Sequence, residues 1–356
     1  RYGGIERVIA VLAEGLQARG HEVTLFAAGD SSAPCRLLPV VPRSLWPVIS
    51  GPRAEHFTRL VAEQAADHQD EFDVIHSHLE NYGFQLARES RTPVLTTLHG
   101  RVDVGQTAAD LRRFGDVALV AISESQRRSA PHASWLATIH HGLFFGHEAG
   151  ISAPVASVET SSSEYLLFVG RIASEKGIAD AIEVARRSRL PLLIAAKAHQ
   201  TDEQDLFHQL VRPAVETGVA RFLGEVTDAQ RDRLFSHGRA TLMLGRWPEP
   251  FGLVAIESLA CGTPVIARAA GALPEIVAHG QDGFLVEDVP DALHAVAEAS
   301  RLDRRRIRAR ALLRFSAERM IDRYEDVYRR LLATSTKNRT LAPLASVEPA
   351  AHSKAV

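Results

Sequence analysis

The chain has 356 residues, 41 basic and 43 acidic side chains and a formal charge of -2, which is enough length for two ordinary domains and none of the basic excess of a nucleic-acid binder. Only Cys35 and Cys261 are present, too few and too distant for a disulfide scaffold or a cysteine metal knuckle; both read as packing residues, and with no signal peptide the expected location is a reducing cytoplasm. No apolar run reaches the roughly 18 residues needed to span a bilayer, so only weak peripheral membrane contact is left open.

The chain opens at Arg1 and passes directly to Gly3-Gly4 and a helical spacing through Ile5, Leu12 and Leu16. A parallel sheet built from strand-loop-helix units needs a strand before such a helix, so a first strand is expected to be missing from this sequence. Strand-like runs follow at 21–28, 73–78, 93–99, 118–123 and 138–141, then at 165–170, 191–197, 221–226, 240–245, 264–268 and 283–286. Amphipathic segments separate them, and Val117-Ala118-Leu119-Val120-Ala121-Ile122 is apolar on both faces, as a buried parallel strand requires. The pattern predicts a twice-repeated α/β fold. Its parts are an N-terminal domain over 1–148, a Pro- and Ser-rich linker over 149–163, and a C-terminal domain over 164–314. A last helix over 315–333 returns to the first domain, and an aperiodic tail over 334–356 is expected to be disordered.

Residues 245–257, Gly-Arg-Trp-Pro-Glu-Pro-Phe-Gly-Leu-Val-Ala-Ile-Glu, are the most informative stretch. Pro248 and Pro250 stiffen the backbone around Glu249, and Phe251-Gly252-Leu253 lead into an apolar helix whose free amides suit a phosphate. Glu257, one turn further in, is placed to meet a sugar hydroxyl. In isolation, two solvated glutamates near a helix start would read the same way. The strand at 165–170 ends in Arg171, and Lys176 follows five positions later before Gly177. Positive charge at a helix start is mildly unfavourable unless an anion is present, so the pair reads as a diphosphate clamp.

Together, Gly3-Gly4, the Arg171 and Lys176 pair and the Glu249 to Glu257 block resemble retaining glycosyltransferase family 4, also called glycosyltransferase group 1. The resemblance covers residue 1 to about residue 330. It implies the GT-B architecture, two Rossmann-like parallel-sheet domains facing across a cleft. It also implies that Arg171 and Lys176 neutralise the donor diphosphate, Gly3 and Gly4 let the backbone approach it, and Glu257 holds the ribose. Glu249 orients the transferred sugar, Phe251, Gly252 and Leu253 offer amides, and His99 lies beside the sugar, which makes His99, Arg171, Lys176 and Glu249 the expected catalytic set. Lys197, Glu225 and Val226 fall on the donor side, and His78, Glu80, Asn81 and Asp103 on the acceptor side.

The implied reaction moves a hexose from a nucleotide-diphosphate sugar, UDP-glucose first and GDP-mannose second, to a hydroxyl of a small molecule or glycan. Because no Asp-X-Asp occurs in the chain, the transfer is expected to be metal-independent and without a cofactor. A zinc site on His76, His78 and His99 is disfavoured, since no carboxylate or cysteine sits at ligand spacing. Some wording departs from the family: Ile139-His140-His141-Gly142 where many relatives have Pro-Asn-Gly, Ala195-Ala196-Lys197 for a glycine turn, and Gly271-Ala272 for a double glycine, with Glu275 bracing that loop. The competing readings are a GT-B epimerase or phosphorylase, and a nucleotide-sugar-binding protein without turnover.

Overall fold

A computed structural model describes residues 3–45, 52–145 and 164–341, with 52–54 and 335–341 given as backbone alone. In the first half the order is α1 (Gly4–Ala18), β1 (Thr24–Ala28), β2 (Arg36–Val41), α2 (Pro52–Asp67), β3 (Ile75–Ser77), α3 (Gly83–Glu89), β4 (Val94–Thr97), α4 (Gly105–Arg113), β5 (Ala118–Ala121), α5 (Glu124–Ser129) and β6 (Trp135–Thr138). The second half runs β7 (Leu166–Arg171), α6 (Ile178–Ser188), β8 (Leu192–Lys197), α7 (Thr201–Leu206), α8 (Arg212–Glu216), β9 (Ala220–Phe222), α9 (Asp228–His237), β10 (Ala240–Met243), α10 (Leu253–Ala260), β11 (Val265–Arg268), α11 (Leu273–Ile276), β12 (Gly283–Val286), α12 (Val289–Ala299), α13 (Arg304–Phe315) and α14 (Ala317–Leu341).

Every pairing is parallel. The C-terminal sheet has the order β12-β11-β10-β7-β8-β9, whose reversal between β7 and β10 opens a crevice at the carboxyl ends of those two strands. The N-terminal half contributes a four-stranded sheet, β3-β4-β5-β6, and a separate β1-β2 pair. The two Rossmann-like units of the GT-B class are therefore present. All four residues of β4 are buried, which is what a strand covered on both faces demands.

Three expectations are corrected. The strand read at 138–141 lies earlier, at Trp135–Thr138, because Ile139 N–H already bonds the Ala121 carbonyl at the end of the ladder and the chain then leaves the sheet. β2 was not legible, since Pro39 interrupts a run that has a strand on only one side. The aperiodic tail does not begin at Thr334; α14 continues to Leu341. The interdomain linker from 149 to 163 and residues 342–356 lie outside the described residues.

One hydrophobic core joins the domains. It collects Val8, Leu12 and Leu16 from α1, Ile256 and Leu259 from α10, Ile307 and Phe315 from α13, and Met320, Ile321, Tyr324 and Val327 from α14. Each such apolar side chain contributes on the order of 1.5–3 kcal/mol when fully buried, so α14 is held to the N-terminal half by its whole inner face. The chain's return is fastened by a short parallel bridge between Leu143 and Ser316: Leu143 N–H donates to the Phe315 carbonyl at 3.1 Å, and Ala317 N–H to the Leu143 carbonyl at 3.0 Å. Gly142 makes this approach possible, because a Cβ there would collide with the backbone of Ser316. Replacing Gly142 with Ala should therefore cost about 1–3 kcal/mol by overpacking. A melting temperature equal to that of the unaltered protein would show that the crossing is not tightly packed.

Candidate active site

The site is assembled by loops that touch backbone to backbone. After β7 the chain makes a single 3₁₀ turn, Ser174–Lys176, and Gly177 then adopts φ 77° to start α6. A Cβ on Gly177 would strike the backbone of Leu244 and Gly245, and one on Gly245 would strike the Glu175 carbonyl. Gly271, at φ 61°, lies against the backbone of Glu249, whose carbonyl accepts from Ala272 N–H at 2.8 Å. Only glycine fits these positions. The result brings Lys176 Nζ to 2.7 Å from Glu249 Oε2.

Lys176 and Glu249 line an interdomain cleft of about 280 Å³, together with Trp247, Phe251, Gly252 and Leu253 and, from the N-terminal domain, Gly4, His99 and His141. Gly252, at φ 103°, begins α10, and no side chain caps that helix. Its first amides and the positive end of its dipole face the cleft beside Lys176. Gly4 begins α1 opposite, after Gly3 at φ 79°, and a Cβ on Gly4 would collide with the Leu253 side chain. Two helix tips from different domains thus meet at one point.

Other residues expected at the donor are placed elsewhere. Arg171 does not line the cleft; its guanidinium donates to Glu203 at 2.7 Å and to Glu175 at 2.9 Å. Burial would raise the Glu203 carboxyl, but the His199 amide, Arg171 and the Gln200 amide hold it below the usual range. Glu257 is buried and bonded to Arg7 of the N-terminal domain, with Arg231 at 3.4 Å, in a separate small cavity that also includes Arg308. Glu225 pairs with His199 at 2.9 Å and Lys197 at 3.6 Å beyond the end of β9, and Val226 packs against the core cluster that includes Tyr165, Leu167 and Phe235.

On the N-terminal side His99 is buried at the end of β4. Glu80 accepts from the amides of His99 and Gly100 at 2.8 and 3.0 Å, so this carboxylate braces the loop rather than facing an acceptor. Asn81 donates to Asp110, and Asp103 holds Arg101 through two contacts of 2.9 and 2.5 Å. Arg101 lies over the ring of Trp247, 5.1 Å from its centroid, across the mouth of the cleft. Glu275 does brace, and across the domains: it accepts from the amides of Glu124 and Ser125 at 2.8 and 2.6 Å and from His140 at 3.0 Å. Burial would raise its carboxyl, but these partners keep it below the usual range.

His76 on β3 and His78 just beyond its end lie to the same side, as their alternation requires, with ring centroids 4.1 Å apart. His78 Nδ1 lies 2.9 Å from His99 Nε2, and His99 stacks on His141 at 5.2 Å. His76 contacts the Tyr328 hydroxyl and Thr97 Oγ1, each at 2.8 Å, linking this row to α14. Among the described residues no group of three His, Cys, Asp or Glu side chains is arranged to hold a metal ion.

Two family models cover most of the chain: Glycosyltransferase Family 4 over residues 2–140 and Glycosyl transferases group 1 over residues 154–310. The chain belongs to this family of glycosyltransferases, enzymes of the hexosyltransferase kind. A D-inositol 3-phosphate glycosyltransferase of Mycolicibacterium smegmatis is 30% identical, over 89% of this chain and 82% of that one. The fold matches the sucrose-phosphate synthase of Thermosynechococcus elongatus with a TM-score of 0.72 at 23% identity, covering 93% of this chain and 94% of that one. It also matches HepE of Anabaena, solved with UDP and glucose, with a TM-score of 0.68 at 19% identity, over 92% and 96% of the two chains. No helix among the described residues is long and apolar enough to cross a membrane.

The histidine row makes stability acid-sensitive. Burial pushes His76 down to about 3 and His99 down to about 4, and holds His78 and His141 well below the usual value. In the unfolded chain these groups take up protons near pH 6.5, so the stability they provide is full above that pH and is lost as pH falls toward 4. His99 alone accounts for about 2 kcal/mol between pH 7 and pH 5. Denaturant unfolding at the two pH values should show a loss of at least this size, and equal stability would exclude buried neutral imidazoles.

Proposed function

We propose that the cleft transfers a hexose from a nucleoside-diphosphate sugar to a hydroxyl of a small-molecule or glycan acceptor, with retention of anomeric configuration and without a metal ion. The observation that carries this reading is Lys176 at 2.7 Å from Glu249, beside the uncapped start of α10 and inside the interdomain cleft. An ammonium and a helix tip together suit a diphosphate, while a carboxylate on a stiff loop suits sugar hydroxyls.

In the reaction the bond from the anomeric carbon to the diphosphate oxygen breaks, and its electron pair leaves with the nucleotide. The acceptor oxygen bonds to the same face of that carbon, and its proton passes to the departing phosphate. Lys176 and the α10 amides stabilise the negative charge where it grows, which accelerates the step because they bind the transition state better than the ground state. Glu249 gives up its contact with Lys176 to take the sugar. Arg171 would reach the phosphates by exchanging a carboxylate partner for them, and Glu257 would reach the ribose only if its separate cavity opened to the cleft on release of Arg7. UDP-glucose is the first donor to assay and GDP-mannose the second.

Replacing Lys176 with Ala should lower turnover roughly 10²–10³-fold with the melting temperature little changed. Full activity in that variant would remove Lys176 from the diphosphate. EDTA should leave the initial rate within about twofold, since a fixed ammonium and helix dipole supply the positive charge; a rate abolished by EDTA and restored by Mg²⁺ or Mn²⁺ would overturn the metal-free reading.

A further inference from the structure

His141 stands in the cleft, although no sequence motif singled it out. It lies beyond β6, where the chain leaves the sheet, and lines the same cavity as Lys176 and Glu249. Its ring stacks on His99 at 23° and meets Phe251 edge-on, with centroids 4.8 Å apart. Stacked imidazoles cannot satisfy each other's ring nitrogens, which lie in the ring planes. His99 Nε2 is taken by His78, while Nδ1 of His99 and Nδ1 of His141 are both buried and have no hydrogen-bond partner among the described residues. Buried polar atoms are nearly always paired, so two orphaned nitrogens on adjoining residues of the cleft wall call for a partner that the described residues do not supply.

We infer that His141, stacked on His99 in the cleft wall, hydrogen-bonds a hydroxyl of the transferred sugar and is a specificity-determining residue of the site. This inference rests on the donor reading above. The cleft is polarised in a way that assigns the ligand. An ammonium and a helix tip attract the anionic end, whereas neutral ring nitrogens each offer one donor or one acceptor, the complement of a hydroxyl and a poor match for phosphate. Phe251 closes the apolar side of the same wall, so a sugar ring can present its C–H groups there while its hydroxyls face the nitrogens.

The test compares His141→Phe, which keeps the ring and loses both nitrogens, with His141→Asn, which keeps hydrogen-bonding capacity. Binding of UDP-glucose, UDP, GDP-mannose and GDP is measured calorimetrically for each, alongside the melting temperature. The expected result is a sugar nucleotide bound roughly tenfold more weakly by the Phe variant, its parent nucleotide bound within about twofold of the unaltered protein, and partial recovery with Asn. Singly deoxygenated UDP-glucose analogues then identify the hydroxyl: the analogue lacking it binds the unaltered and Phe proteins alike. If the Phe variant binds sugar nucleotide and nucleotide as the unaltered protein does, or loses both equally, His141 has no part in sugar recognition. If the unaltered protein binds none of the four compounds, the donor reading fails and takes this inference with it.

Discussion

The site depends on backbone contact that side chains would forbid. Gly177, Gly245 and Gly271 let three loops from the carboxyl ends of neighbouring strands touch main chain to main chain, and that contact sets Lys176 against Glu249. Larger residues would push the loops apart and part the ammonium from the carboxylate. The constraint is steric first and electrostatic second. The prolines on either side of Glu249 act in the same sense, since they remove the torsional freedom through which the loop might otherwise relax.

Charges in and around the cleft are satisfied internally. Lys176 holds Glu249, Arg171 holds Glu203 and Glu175, and Arg7 holds Glu257. On the donor reading proposed above, binding would exchange partners with these groups rather than fill bare charges. Such exchange would limit the net gain in affinity, because every ion pair formed with the ligand would replace one already present. It would also favour selectivity, since an anion lacking a sugar would leave Glu249 without a new partner.

Much of this was legible in the sequence. The parallel strands announced themselves as doubly apolar runs such as 117–122, and the loop carrying Lys176 and the segment from Glu249 to Glu257 could be placed on strand ends and a helix start. The local sequence could not reveal which charged groups would find partners far along the chain. Arg171 and Glu203 lie 32 positions apart, and Arg7 and Glu257 lie 250 apart. Glu80 was placed on the acceptor side beside His78, yet burial and two amide donors make it a brace. His141 escaped notice because Ile139-His140-His141-Gly142 shows no periodicity; only its departure from the usual wording marked it. β2 was hidden by Pro39, which is compatible with a strand that lacks a neighbour on one side.

The fastening of Leu143 to Ser316 has a mechanical consequence. The chain passes between the domains twice, once after residue 143 and once at Ser316, and hydrogen bonds tie these two passages together. Two separated connections would permit shear as well as rotation. Shear between the halves at this point would break those hydrogen bonds, whereas rotation about them would not. A rotation of that kind would have to carry with it the tips of α1 and α10, the stack of Arg101 on Trp247 and the grip of Glu275 on α5.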